Sequence, residues 1–126
     1  MTAQEIYDTV ARALLAQGRP SICKYGRCLY RGPDGLKCAI GHLIPDENYD
    51  PKFEGLGIDN FFYDDVHGFG FNKKDKNLLV DLQLAHDDTN HWQTNEEWRQ
   101  IWKDRMLSVA KDFDLDISVF EKGDKL

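Results

Sequence analysis

No stretch of this 126-residue chain approaches the roughly eighteen consecutive apolar residues of a membrane-spanning helix. Its first residues, MTAQEIYD, lack the basic segment and apolar run of a secretory leader. Basic charge is in short supply: sixteen Lys and Arg stand against twenty-two Asp and Glu, for a net charge of −6. That balance weighs against nonspecific binding of nucleic acid or of an anionic membrane, both of which need a basic surface. Cysteines number only three. An odd count without secretory context favours reduced thiols over disulfides, and a cytoplasmic location is the expectation. Phosphate-binding loops, GxSxG elbows and HExxH pairs are all missing. There is no repeat, low-complexity stretch or linker, so a single domain over 1–126 is expected, with a charged tail at about 121–126.

What is present is enough for a core. Hydrophobic residues make up 41% of the chain and aromatic residues 12%, well outside the composition of disordered chains. The charge is uneven. Residues 1–45 carry six basic and three acidic side chains, while residues 46–126 carry ten basic and nineteen acidic. The second part is therefore the acidic one. It is either a solubilising surface or a patch that attracts a basic partner.

Helices are legible at several places. Thr2-Ala3-Gln4-Glu5 is a capping box, and Ile6, Val10 and Leu14 follow at helical spacing until Gly18 and Pro20 end the run. KKDKNLLVDLQLAHDD predicts a second helix with Leu78, Leu79, Leu82 and Ala85 inward. Thr94-Asn95-Glu96-Glu97 is another capping box; it opens a helix whose apolar face is Trp98, Ile101, Trp102, Val109, Ala110 and Phe113. SICKY and CLYR around Gly26-Arg27 predict a small hairpin, and RGPDG a turn in which Asp34-Gly35 tolerates left-handed geometry. LKCAIGHLI, bounded by turn signals, predicts a buried two-turn helix. DNFFYDDVHGFGF suits a short helix ended by Gly68, and DISVF is a short final segment. The expected fold is mainly α, a compact single-domain helical fold with a small β-hairpin in its N-terminal half.

Four groups of residues bear on function. Cys28, Cys38 and His42, with Cys23 or His86 as a fourth ligand, are candidate zinc ligands, because zinc takes four thiolate or imidazole donors in a tetrahedron. Cys38 and His42, four apart, would share a helix face. The spacings Cys23-x4-Cys28 and Cys28-x9-Cys38 lack the short pairs of finger and ribbon sites, and the alternative is that the thiols pack as small apolar groups. Cys38 is also a candidate nucleophile, near the start of its predicted helix, with His86 as general base and Asp87 as the orienting carboxylate. Its flanks, Ala39 and Ile40, point instead to burial.

HDDTNH, residues 86–91, places two His and two Asp together and reads either as ligands or as a solvated helix end. Asp112, Asp114 and Asp116 alternate like a calcium loop, but Ile117 and Gly123 stand where that loop needs Gly and Glu, which rejects it. Finally, Phe61, Phe62, Tyr63, Phe69 and Phe71 crowd one stretch, with Trp92, Trp98 and Trp102 downstream. Most of these are needed to fill a core; Phe69, Phe71 and Trp92 are the candidate partner-binding aromatics.

The segment CLYRGPDGLKCAIGHLIPD, with IYDTVARALLAQG before it and LQLAHD after it, resembles a family of small uncharacterised proteins from phages and bacteria. The family has no established activity. What the resemblance implies is a role in host takeover or counter-defence, through a small acidic protein that binds and blocks a host protein. The leading expectation is therefore a non-enzymatic protein-binding module, an inhibitor or modulator. A zinc-binding protein and a cysteine-dependent hydrolase or transferase are the alternatives.

Overall fold

A computed structural model describes residues 2–21, 29–44, 46–49, 51, 73–87 and 94–123. Among them are four α-helices: α1 (Ala3–Gln17), α2 (Lys76–Asp87), α3 (Asn95–Phe113) and α4 (Ser118–Gly123). The fold is mainly helical, as expected.

Local chemistry sets the ends of these helices. Thr2 and Thr94 each accept from the backbone N–H three residues on, and Glu5 and Glu97 accept in return from the capping residue's own N–H. Both capping boxes are thus closed. Gly18 ends α1 in the left-handed region (φ 73°), a conformation glycine reaches without steric cost. Asp114 does the same for α3 (φ 55°). Turns of 3-10 helix fill several connections: Pro33–Gly35, Gly41–Leu43, Asp46–Asn48 and Lys73–Asp75.

α2 packs on α3, and α1 packs on α4 and on the Gly41–Leu43 turn. The predicted inward residues of α2, Leu78, Leu79, Leu82 and Ala85, are buried. On α3, Trp98, Trp102, Val109 and Ala110 are buried, Met106 joins them, and Ile101 and Phe113 are half-buried. Buried apolar residues of all four helices form one cluster.

Aromatic rings tie its parts together. Trp98 stacks on Trp102 at 5.5 Å between centroids, Phe120 of α4 meets Trp102 edge-on at 5.5 Å, and Tyr7 of α1 meets Phe120 edge-on at 6.2 Å. The Tyr7 hydroxyl donates to the Met106 carbonyl at 2.7 Å, so its polar end is satisfied inside the core. The final predicted segment is helix α4, and Val119 and Phe120 are its buried side.

No β-strand occurs among the described residues; the hairpin expected around Gly26-Arg27 falls mostly outside them. What is seen at its base is the Leu29 N–H donating to the Ser21 carbonyl at 2.9 Å, and one isolated antiparallel bridge between Arg31 and Lys37. That bridge closes the RGPDG turn, where Asp34 (φ 60°) and Gly35 (φ 75°) are both left-handed, as anticipated.

LKCAIGHLI is not a two-turn helix but a bend followed by the single 3-10 turn Gly41–Leu43. Two of its backbone donors are drawn to side chains instead of helical carbonyls: the Ile40 N–H donates to Gln83 Oε1 at 3.1 Å, and the Gly41 N–H to the Cys38 sulfur at 3.3 Å. The helix expected within DNFFYDDVHGFGF lies outside the described residues. Among the described residues no helix is long and apolar enough to cross a membrane.

Candidate functional site

Residues 30–44, with Asp46, form a junction between the end of α1 and the face of α2. Its outer closure is Arg31, whose guanidinium reaches Asp46 Oδ1 at 2.7 Å, donates to the Ile44 carbonyl at 2.9 Å and lies over the Tyr49 ring at 4.8 Å. Asp46 is largely exposed, so the ion pair itself adds little; the carbonyl contact fixes the strand of chain. Gly41 sits directly against the Tyr30 carbonyl, where a Cβ would collide with backbone oxygen. Only glycine permits that approach.

Inside, two polar groups organise the junction. Gln17, at the end of α1, donates to the carbonyls of Lys37 (2.8 Å) and Arg19 (2.7 Å) and accepts from the Lys37 N–H (2.9 Å). His42 Nε2 lies 3.0 Å from the same Gln17 oxygen, which makes it the donor and fixes the Nε2–H tautomer. Burial, together with the charge of Lys37, pushes the His42 pKa down to about 4. The ring is therefore neutral at ordinary pH.

His86 is fully buried on α2. Its Nε2 accepts from the Ser21 N–H at 3.0 Å, and its Nδ1 therefore carries the hydrogen donated to Asp87 Oδ1 at 2.8 Å. This is a neutral imidazole on a carboxylate rather than an ion pair. Gln83 Nε2 donates to the same Asp87 oxygen at 2.9 Å. The Trp98 indole N–H donates to the His86 carbonyl at 3.0 Å and its ring meets the imidazole edge-on, which locks α2 to α3.

These contacts place the predicted site residues. His86 and Asp87 are joined, as a base and its orienting carboxylate would be. The imidazole nitrogen left for catalysis, however, faces a backbone N–H and has no lone pair free to take a proton from a thiol. Cys38 is fully buried, and burial pushes its thiol up to about 12, with the Asp87 charge adding to the effect. A nucleophilic cysteine needs the opposite environment.

Cys38 and His42 lie on the same junction, yet among the described residues no three His, Cys, Asp or Glu side chains are grouped to hold a metal ion. Cys23, Cys28, His91, Phe69, Phe71 and Trp92 lie outside the described residues.

The structure adds a feature that the sequence reading passed over. A groove of about 490 Å3 runs between α2 and α3, lined by Asp81, Leu84, Ala85, Asp87, Arg105, Ser108, Val109 and Asp112. Ala85 and Val109 form a buried apolar floor. Leu84 stands at the edge with 59% of its surface exposed. It lies off the inward stripe of residues 78, 79, 82 and 85, and that offset was the available signal. Asp87 belongs to both features: the buried junction holds one of its oxygens, while its side chain, 32% exposed, reaches the groove. No family model, curated protein or solved structure matches the chain.

Proposed function

We propose that this chain is a non-enzymatic protein-binding module that engages its partner through the groove between α2 and α3. The observation that carries this is Leu84: a large aliphatic side chain, 59% exposed, beside an apolar floor and ringed by polar groups. One exposed leucine is ordinary on a protein surface; its place beside a concave groove with an apolar floor is what fits a docking site. The junction of residues 30–44 with Asp46 is then architectural. It pins α1 to α2 and holds Asp87 at the rim of the groove. A role as an inhibitor or modulator of a host protein fits a small module of this kind.

The test is a pull-down from bacterial lysate with the wild-type chain and with Leu84→Asp as baits. Leu84 is exposed, but an aspartate in the last turn of α2, three residues from both Asp81 and Asp87, should cost about 1 kcal/mol, so the bait is first checked as folded by circular dichroism. A protein recovered by wild type and lost with Leu84→Asp supports the proposal. Recovery of the same proteins by both baits, or of none by either, overturns it.

A further inference from the structure

Resting on that reading, we infer the chemistry of the occupant: a cationic peptide segment that seats one apolar side chain on the floor of the α2–α3 groove with Lys or Arg on either side.

Three carboxylates, Asp81, Asp87 and Asp112, line the groove against one guanidinium, Arg105. The chain as a whole has a net charge of −6, so the long-range field and the local lining have the same sign. A cationic segment would be steered toward this face and an acidic one repelled.

The apolar part is equally specific in position. Leu84 and Ala85 lie three and four residues after Asp81 on α2; Ser108 and Val109 lie three and four after Arg105 on α3, and Asp112 lies three after Val109. Ala85 therefore sits between Asp81 and Asp87 along α2, while Val109 sits between Arg105 and Asp112 along α3. The lined part of α3 is about 10 Å long, the reach of about three extended residues or two turns of helix. That length fits one anchor with a charged neighbour at each side.

Asp87 adds preorganisation. Gln83 and His86 both donate to its Oδ1, so the carboxylate is held in one orientation before any partner arrives. Placing a cation opposite it costs little side-chain ordering.

The experiment uses the full chain and two short probe peptides with identical leucine spacing, one with lysine and one with glutamate at the remaining positions. Binding is followed by amide NMR shifts. The lysine peptide should shift Leu84, Ser108 and Val109 and weaken about tenfold between low and high salt. Asp81→Lys with Asp112→Lys should weaken it tenfold or more. Glu47→Lys with Glu96→Lys, which makes the same change in net charge outside the groove, should weaken it far less.

If the outside pair weakens binding equally, the attraction is diffuse and the inference is overturned. If the glutamate peptide shifts the same groove residues as strongly, the cationic assignment fails while the groove remains a docking site. If neither peptide shifts them, the inference fails, and the docking reading is decided by the Leu84→Asp pull-down, which uses neither peptide.

Discussion

The thiol of Cys38 should be nearly inert in the folded chain. At pH 8 an unperturbed thiol with a pKa of 9.0 is about one-tenth thiolate; a thiol pushed up to about 12 is about one ten-thousandth thiolate. Alkylation through the native state should thus slow about a thousandfold from protonation alone, before its complete burial is counted. The competing route is transient unfolding. For a domain stable by about 5 kcal/mol the open fraction is on the order of one in several thousand. Both routes predict labelling at least about a thousandfold slower than in denaturant.

The assay is iodoacetamide labelling at pH 8, quenched over time, with the Cys38-bearing peptide quantified by mass spectrometry against the same chain in denaturant. Reading the peptide separates Cys38 from Cys23 and Cys28. Labelling of Cys38 within about tenfold of the denatured rate would refute the reasoning and restore the nucleophile reading. The same shift has a pH consequence. The folded pKa lies above the unfolded one, so this contribution to stability is complete below about pH 9 and is lost as the pH rises toward 12. Tyr7, whose hydroxyl is also shifted upward by burial, acts in the same direction.

Gly41→Ala should cost about 2 kcal/mol or more, and about 8 °C in Tm, because the new Cβ meets the Tyr30 carbonyl; a melting curve within about 2 °C of wild type would contradict that. His86→Leu keeps the volume but strands the Ser21 N–H and removes a donor from Asp87, so chemical denaturation should show a loss of about 2–4 kcal/mol. His42 is held below its ordinary pKa by burial. Its contribution is therefore complete above about pH 6.5 and lost as the pH falls toward about 4. His42→Gln should flatten the pH dependence of stability over that interval, and an unchanged slope would exclude His42 as its source.

The parts of the fold that could be read from sequence are those fixed by neighbours along the chain. Thr2 with Glu5, and Thr94 with Glu97, close their capping boxes within a single turn, and the inward stripe of α2 follows from helical spacing alone. The left-handed Asp34-Gly35 turn is likewise local.

LKCAIGHLI does not form the helix its pattern predicts, because its hydrogen bonds are settled elsewhere. Gln83, forty-three residues away, takes the Ile40 N–H, and the Arg31–Lys37 bridge holds the preceding chain extended. Tertiary partners outbid a helical pattern only two turns long.

The candidate site was half legible for the same reason. Proximity in sequence made the His86–Asp87 pair visible, but nothing local reveals that Ser21 occupies the other imidazole nitrogen. The groove needs two helices side by side, and only Leu84, misplaced on a polar face, hinted at it.

The central claim is that the cysteine-bearing junction is structural and the α2–α3 groove is functional. Partner capture by Cys38→Ala and Leu84→Asp, measured side by side on folded protein, tests it most directly. The account predicts that Cys38→Ala retains the partner and Leu84→Asp loses it. Loss of the partner with Cys38→Ala alone, with capture by Leu84→Asp intact, would contradict the account.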